Sequence, residues 1–410
     1  MATRQSLEGI RVVDFSWVAV GPLCARTLAE HGATVVRVES HTVVEISRVV
    51  GPFKDFKTGV DRSVQSIAYN TNKLGISLNL AKPKGRDLAK RLIRWADVVV
   101  ESFSPGTMKR LGLDYEEANR LNPHIIYAST SLQGQTGPFA FFAGMGQQTA
   151  GLAGFCELTG FPDGEPALAN TFYGDFVATW FLVTAIVGAL EHRRRTGKGM
   201  YIDHSQYETA LHFLAPAVLD YTANRRVAQR QGNRDPHAAP HGCYPCQGDD
   251  RWVAIAVSSD EEWKALVEAM GNPEWAEGFA TVQARKKSED DLDSLVASWT
   301  SRHTSEEVMA LLQGRGVAAG LVSNAEDLFE DPQLRHRDHF VHLEHNVIGR
   351  YACTNEAVRF SKTPPRMSRA GPCLGQDNER IYKDLLGLTD DEISDLMAEG
   401  VITTEADLPG

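Results

Sequence analysis

The chain has 410 residues, more than one ordinary hydrophobic core holds, so two domains or a discontinuous arrangement are expected. Hydrophobic residues make up 42% and charged residues 23%, which is the composition of a folded soluble protein. The formal net charge of -11 argues against nucleic acid or an anionic membrane surface as a partner, because like charges repel. An anionic substrate therefore requires a local basic patch.

Three segments could be mistaken for targeting, membrane or metal signals. The first ten residues contain no apolar stretch, so no signal peptide is predicted and a cytoplasmic location with reduced thiols is expected. Residues 176–190 are uncharged but shorter than the roughly 20 apolar residues of a membrane span, and their helical stripe predicts a buried core helix. Cys243 and Cys246 lack a second close pair of zinc ligands, so hairpin thiols and no metal are predicted.

The first third of the chain alternates strand and helix patterns. Helical patterns at residues 23–30 and 85–95 lie between short apolar runs. Those runs predict strands at residues 10–15, 34–38, 74–80, 97–100 and 125–129. Short apolar strands separated by helices predict a parallel sheet with crossover connections, which is a Rossmann-like α/β fold.

The first turn of this sheet argues against a dinucleotide. Glu39 ends the second predicted strand, where a ribose-binding acid would stand. The first turn, however, has the sequence SWVAVGP at residues 16–22, without G-x-G-x-x-G and with Trp17 where a pyrophosphate needs close approach. A nicotinamide or flavin oxidoreductase is therefore a weak alternative.

The second half of the chain indicates a smaller α/β domain. Residues 224–242 are polar and contain Gly, Pro, Asn and Arg, which is typical of a linker or a mobile loop. An apolar strand pattern at residues 252–257 and a helix beginning near Asp260 follow. A last helical pattern covers residues 390–397.

Asp175 stands at the start of the long apolar helix. By pattern alone, an Asp in this position is typical of an N-cap, whose carboxylate accepts hydrogen bonds from the first-turn amides. Ala178 occupies the position where a capping box has Glu or Gln, so nothing further supports a cap. Capping and a chemical role are compatible, because the positive end of a helix dipole stabilises a carboxylate.

Short motifs spread along the chain occur together in one enzyme family. They are LEGIRVVDF at residues 7–15, NK at 72–73, ADVVVESFSPG at 96–106, NP at 122–123, IYAS at 126–129, GQTGP at 134–138, YGD at 173–175, TGKG at 196–199, GN at 232–233, DPQL at 331–334, Pro364 and LGQ at 374–376. In this order they resemble the family III coenzyme A (CoA) transferases, the group that contains formyl-CoA transferase and carnitine CoA-transferase. The resemblance covers nearly the whole chain, and no single motif carries it.

The resemblance implies an architecture and an assembly. It implies a Rossmann-like large domain built from both chain ends, a smaller α/β domain, and two ring-like chains interlocked as a dimer. A homodimer or a heteromer with a paralogous subunit is expected. The first part of the large domain, the linker with the small domain, and the return to the large domain are predicted at residues 1–223, 224–330 and 331–410.

The resemblance also implies site residues. Asp175, at the YGD position of the family, is the covalent nucleophile, and CoA is a co-substrate rather than a tightly bound cofactor. Gly134 and Gly174 are candidate oxyanion donors, and Gln133 and His237 stand at substrate positions. The candidate CoA contacts are Val18, Ala19, Arg37, Asn72, Lys73, Ser102, Phe103 and Arg110.

One of these contacts has an equal alternative, and several positions depart from the family pattern. Arg37 lies inside a predicted strand, where it can pair with Glu39 instead of a phosphate. Formyl-CoA transferase has a glutamine at Ala19 and a glycine-rich loop at residues 234–241, which here contain no glycine. Formate and oxalate are therefore disfavoured, and a larger or less polar acid under a stiff, proline-containing loop is expected.

Two further enzyme alternatives remain from the sequence. The related acyl-CoA racemases transfer protons with a histidine that falls near Met145, which cannot exchange a proton, so a racemase is the weaker prediction. A non-catalytic subunit of a heteromeric transferase is disfavoured because Asp175 is retained. Among donors, succinyl-CoA is expected first because many members of the family use it.

Overall fold

The computed structural model describes residues 4–168 and 173–408. Its strands are β1 Arg11–Asp14, β2 Thr34–Glu39, β3 Leu74–Ser77, β4 Val98–Glu101, β5 Ile126–Ser131, β6 Met200–Ser205, β7 His241–Pro245, β8 Trp252–Ala256, β9 Ala318–Leu321, β10 Phe340–His345 and β11 Gly349–Thr354. Its α-helices are α1 Val20–Glu30, α2 Val64–Tyr69, α3 Pro83–Trp95, α4 Thr107–Leu111, α5 Tyr115–Leu121, α6 Gly146–Leu152, α7 Phe155–Leu158, α8 Tyr173–Thr196, α9 Gln206–Phe213, α10 Ala215–Asn224, α11 Asp260–Ala269, α12 Val282–Lys287, α13 Glu289–Thr300, α14 Ser305–Gln313, α15 Ala325–Glu330, α16 Pro332–His336 and α17 Asp390–Ala398.

Strands β1 to β6 form a parallel sheet in the order β3-β2-β1-β4-β5-β6. The predicted parallel α/β sheet is thus confirmed, although β6 was not foreseen because its sequence MYIDHS mixes apolar and polar residues. The strand order reverses between β1 and β4. In a doubly wound sheet, ligands bind beyond the carboxyl ends of the strands at this reversal.

Both faces of the sheet are buried, as is expected of parallel strands. On one face, Ala178, Leu182 and Ile186 of α8 pack with α1 against β1, β4 and β5. On the other face, α3 packs together with residues from the C-terminal end, such as Tyr382 and Ile402. The C-terminal end therefore completes the core that the N-terminal half begins.

Helix α8 is the one helix in the described part of the chain that is long and apolar enough to cross a membrane, by length and composition alone. Seven of its residues are buried, among them Asp175 and the three core residues named above. Its buried stripe packs on the sheet in the way the sequence predicted for residues 176–190.

The chain divides into two compact units. The first comprises Met1–Phe155, Leu168–Arg225 and Asp338–Gly410, and the second comprises Cys156–Ala167 and Arg226–Arg337. The sequence placed residues 331–337 and the segment 156–167 with the large domain, whereas both lie in the second unit. The segment belongs to the second unit because the amide of Gly232 donates to the carbonyl of Gly160 (2.8 Å) and Arg230 pairs with Glu157.

The second unit has its own core. Strands β7, β8 and β9 form an antiparallel sheet, and α11, α13 and α14 bury Trp263, Val296 and Leu312 against it. Cys243 lies in β7 and Cys246 just after it, in the hairpin predicted for these two thiols. All six cysteines are free.

Candidate active site

Asp175 is the third residue of α8, and its side chain is buried against the first residue of α6. The residue is 5% exposed. A Cβ built on Gly146 would lie 2.7 Å from Oδ2 of Asp175 and 2.8 Å from its Cγ, closer than real Cβ contacts come. Only glycine allows the α6 backbone to approach the carboxylate this closely.

The electrostatics of Asp175 are those of a desolvated carboxylate. Burial raises the pKa of the Asp175 carboxyl to about 7, with no compensating cation. In the described part of the chain, no hydrogen bond reaches its oxygens. Buried carboxylates in protein interiors are normally paired with a cation or with hydrogen-bond donors. Because the Asp175 side chain has no such partner among the described residues, it is a functional-site candidate.

A cavity of 420 Å³ in the first unit reaches Asp175 and is called the Asp175 cavity here. It lies beyond the carboxyl ends of β1, β4 and β5, where the sheet order predicts a ligand. Asp175 is the single charged residue among the described residues that line it. The lining consists of residues 17–20, 102–105, 130–132, 140 and 142–146, with Asp175 and Gln206. The structure thus brings Val18, Ala19, Ser102 and Phe103 together with Asp175, as the sequence predicted.

Two loops that form this cavity are fastened to each other. The amide of Trp17, after β1, donates to Ser102 Oγ (2.8 Å), and the Ser102 hydroxyl donates back to the Trp17 carbonyl (3.2 Å). The rings of Trp17 and Phe103 meet edge to face at 5.7 Å. Glu101, the last residue of β4, accepts a hydrogen bond from the Phe103 amide (2.8 Å). The wall opposite Asp175 is therefore aromatic and held by hydrogen bonds.

The structure corrects two predicted CoA contacts, Arg37 and Lys73. Both side chains are fully buried. Arg37 pairs with Glu39 at 3.0 Å, which is the alternative that the sequence left open, and also with Glu45 at 3.3 Å. Lys73 donates to Asp14 Oδ2 at 2.8 Å. Buried cations that are paired with carboxylates offer no charge to a phosphate.

Asn72 and Arg110 stay predicted CoA contacts, and their surroundings differ. The Asn72 amide donates to the carbonyl of Arg366 and accepts from the amides of Ser368 (2.9 Å) and Arg369 (3.0 Å), so it fixes a chain segment. Arg110 is exposed on α4 and donates to Thr107 Oγ1 (2.9 Å). Of the three predicted cations, Arg110 alone presents its charge at the surface.

The predicted substrate and oxyanion residues lie in several places. Gln133, Gly134 and Gly174 are not among the described residues that line the Asp175 cavity. Gly134 has φ +83 and faces Asp203, and buried Gly174 faces Thr149. His237 is an exposed residue of the second unit.

The loop that carries His237, residues 233–241, is anchored in the second unit. Ala238, Ala239 and the following proline are buried. The Ala239 carbonyl accepts from Arg285 Nε (2.7 Å), and the Asp235 carbonyl accepts from Lys286 Nζ (2.7 Å). These contacts hold the loop to α12. That the loop covers the acceptor acid stays a prediction.

Sequence reasoning missed two polar groups in the cavity wall. Gln206, the first residue of α9, is 8% exposed, and within the described residues its Oε1 has no hydrogen-bond partner. The same is true of Ser131 Oγ, at the end of β5. A buried acceptor without a donor costs about 1–3 kcal/mol, so such atoms mark places where a ligand or water binds. No motif flagged them, because β6 and the start of α9 were not predicted.

Among the described residues that line the cavity there is no histidine to transfer a proton. Met145 lines it at the position where a racemase has its histidine. His204 lies behind Thr130, with Nδ1 2.9 Å from Thr130 Oγ1 and Nε2 3.0 Å from Thr209 Oγ1. Burial lowers the pKa of His204 to about 4, so it is neutral and held in place.

No metal-binding cluster of three or more His, Cys, Asp or Glu side chains exists within residues 4–168 and 173–408.

Comparison with known proteins places the chain among enzymes that transfer CoA. The model of CoA-transferase family III matches residues 7–378. The succinyl-CoA–D-citramalate CoA-transferase of Chloroflexus aurantiacus is 34% identical over 97% of this chain and 98% of its own length. The succinyl-CoA–L-malate CoA-transferase beta subunit of the same organism is 31% identical over 98% and 99%. The crystal structure of a CAIB/BAIF family protein from Brucella suis matches with a TM-score of 0.86 and 31% identity, over 93% of this chain and 100% of that one.

Proposed function

Because the chain belongs to CoA-transferase family III and is a CoA transferase, we propose that it moves CoA from succinyl-CoA to a carboxylic acid through covalent intermediates on Asp175. The observation that carries this proposal is the buried, unpaired Asp175 carboxylate at the end of a neutral cavity. The relatives named above for succinyl-CoA support the choice of donor.

The reaction begins with attack by the carboxylate of Asp175 on the thioester carbonyl of the donor. The C–S bond breaks, CoA leaves as a thiolate, and a mixed anhydride joins Asp175 to succinate. The thiolate then attacks the aspartyl carbonyl, which releases succinate and leaves an aspartyl-CoA thioester. The acceptor carboxylate repeats these steps in reverse. Since every step exchanges one activated acyl bond for another, no ATP is consumed.

Desolvation supports this role for Asp175. A carboxylate that accepts no hydrogen bonds keeps its electron pairs available for attack. Burial disfavours its negative charge, and the attack removes that charge. Gly146, the first residue of α6, lies against the carboxylate, and the amino end of a helix favours negative charge on oxygen. Charge stabilisation at the developing oxyanions accounts for a large part of catalysis in such sites.

The path of CoA follows from the lining residues. Val18, Ala19 and the Ser102–Phe103 turn form the wall along which the pantetheine arm reaches Asp175. Arg110, exposed on α4 at the end of the same turn, is the predicted cation that remains for the phosphates. Arg37 and Lys73 take no part in phosphate binding.

The acceptor is a 2-hydroxy acid larger than formate. Apolar side chains such as Phe142 and Met145 line the cavity and favour a branched or bulky carbon skeleton. The unpartnered Gln206 Oε1 accepts the hydrogen bond that a 2-hydroxyl group donates, and the unpartnered Ser131 hydroxyl donates to the oxygen of that group. The acids in the names of the two relatives, citramalate and malate, are 2-hydroxy acids.

The assembly is proposed to be an interlocked homodimer. Large apolar side chains of α8 and α10 are exposed in the single chain, among them Trp180, Val187 and Leu219. Exposed apolar surface of this kind is typical of a face that a second chain covers. A heteromer with a paralogous subunit is the alternative, since one of the relatives is itself named as a subunit.

The test is to trap the intermediate. Incubation with succinyl-CoA and hydroxylamine should convert Asp175 to a hydroxamate, which peptide mass spectrometry locates. Asp175→Asn should fold, bind CoA and lose transfer by at least about 1,000-fold, as removal of a covalent nucleophile does. Asp163→Asn, at an exposed residue of the second unit, is the matched control and should keep activity. Label at another residue, or appreciable turnover by Asp175→Asn, would rule out this mechanism.

A further inference from the structure

Val18, in the wall of the Asp175 cavity, has a strained backbone. Its φ angle is +67, in the left-handed region. Side chains that branch at Cβ rarely adopt this region, because it strains them. Such a conformation persists only where neighbouring groups enforce it.

Three successive backbone amides before α1 are held by side chains, the first by a residue two positions earlier and the other two by residues from two distant segments. The Ser16 amide donates to Asp14 Oδ1 (2.9 Å), and the Trp17 amide donates to Ser102 Oγ (2.8 Å). The amide of Val18 itself donates to Glu45 Oε1 (2.8 Å). Glu45 is therefore the group that fixes the strained residue directly.

Glu45 is in turn fixed by the cation that the sequence assigned to phosphate binding. It is 1% exposed, and its second oxygen lies 3.3 Å from Arg37 Nη2. Arg37 also donates to the Ser16 carbonyl (2.9 Å). The same guanidinium thus holds both the loop before Val18 and the carboxylate that binds the Val18 amide.

This arrangement determines which backbone groups face the cavity. With the amides of residues 16–18 occupied, the next amides belong to Ala19 and the first turn of α1, where no side chain caps the helix. Val18, Ala19 and Val20 all line the cavity. The left-handed turn at Val18 therefore directs an uncapped helix start toward the place where charge develops during the reaction.

We propose that Glu45, held by Arg37, is a positioning residue that keeps Val18 in its left-handed conformation and so shapes the CoA-facing wall of the active site. The inference rests on the proposed reaction at Asp175. Glu45 also accepts from the Ser47 amide (3.1 Å), so a purely structural role as a turn cap is the competing explanation.

The test combines Glu45→Ala with Val18→Gly. Loss of the Glu45 carboxylate should lower kcat by about 10- to 100-fold with a smaller change in KM. The reason is that misplaced backbone groups reduce the stabilisation of the transition state more than they reduce substrate binding. Glycine adopts positive φ without strain. Adding Val18→Gly to Glu45→Ala should therefore raise kcat about tenfold above that of Glu45→Ala alone. A residue that merely capped a turn would show no such rescue.

Asp97→Ala is the matched control. Asp97 also accepts a backbone amide, that of Arg11 (2.9 Å), and pairs with arginines, but it lies at the amino end of β4. It should lose stability while kcat stays the same. If Glu45→Ala does not fold, Glu45→Gln replaces it. This variant keeps an acceptor for the Val18 amide but loses the ion pair with Arg37, so a smaller loss of kcat and a correspondingly smaller rescue by Val18→Gly are expected.

Hydroxylamine labelling separates the two proposals. If wild-type protein shows no label on Asp175, the proposed function fails whatever Glu45 does. If wild type is labelled and Glu45→Ala is labelled at the same rate, or the double variant is no faster than Glu45→Ala, the positioning role is overturned and the reaction stands.

Discussion

The proposed reaction depends on one residue, Asp175, whose carboxyl has a pKa raised to about 7 by burial. Only the ionised carboxylate attacks a thioester. We therefore expect kcat/KM for succinyl-CoA to rise as the pH increases through about 7 and to level off above it. The measurement is the pH dependence of the first turnover with hydroxylamine as acceptor. A profile that is flat between about pH 5 and pH 9 would contradict this pKa.

The same shift makes a prediction for stability. Folding favours the protonated form of Asp175, so its contribution to stability is complete below about pH 4 and is lost as the pH rises through about 7. Asparagine does not ionise, so the Asp175→Asn variant does not lose stability in this way. The free energy of unfolding of the variant minus that of wild type should therefore increase with pH over that window, by at most about 4 kcal/mol. Urea denaturation of both proteins near pH 5 and near pH 8 checks it, and a constant difference would be the wrong result.

Gln206 is the residue proposed to recognise the acceptor hydroxyl. Gln206→Leu keeps the volume and removes the acceptor atom, so it should lower kcat/KM for 2-hydroxyglutarate about 10- to 100-fold and leave glutarate little changed. Both enantiomers are to be tested, with succinyl-CoA as donor. Equal losses of kcat/KM for both acids would show that the Gln206 amide supports the cavity wall without binding the hydroxyl.

At the scale of elements, the site depends on the close approach of α6 to α8. Gly146→Ala would place a methyl group against the Asp175 carboxylate, which is short, buried and unable to move away. We expect kcat to fall by about 10- to 100-fold and stability by about 1–3 kcal/mol. Gly188→Ala is the control on α8, because a Cβ there meets nothing within 4 Å. It should keep activity and match or exceed wild-type stability.

At the scale of the whole molecule, the prediction concerns the assembly. Interlocked rings cannot separate without unfolding, so native mass spectrometry should find a dimer that persists on dilution. The purified chain should also catalyse transfer alone. Trp180→Glu on the exposed side of α8 should reduce dimer yield, whereas Arg195→Glu near the exposed end of the same helix should not. Folded monomers, or activity only after addition of a second polypeptide, would contradict the homodimer.

Much of the fold and part of the site are determined by the sequence alone. Strands β1 to β5 can be recognised in the sequence because strands buried on both faces of a parallel sheet are short, continuous apolar runs. The start of α8 and the YGD motif direct attention to Asp175 from the sequence alone. Val18, Ala19, Ser102 and Phe103 line the same cavity as Asp175 because they follow the two strands between which the sheet order reverses, and their contact with CoA stays a prediction.

Only the tertiary structure decided what the charged and small residues do. The sequence does not show whether a basic side chain contacts a phosphate or a buried carboxylate. Arg37 and Lys73 were therefore assigned to CoA, whereas in the structure both are paired with buried carboxylates. The roles of Gly146 and Gln206 depend on contacts between helices that are distant in the chain. Such contacts leave no periodic pattern, because they arise from the packing of one element on another rather than from the local geometry of either.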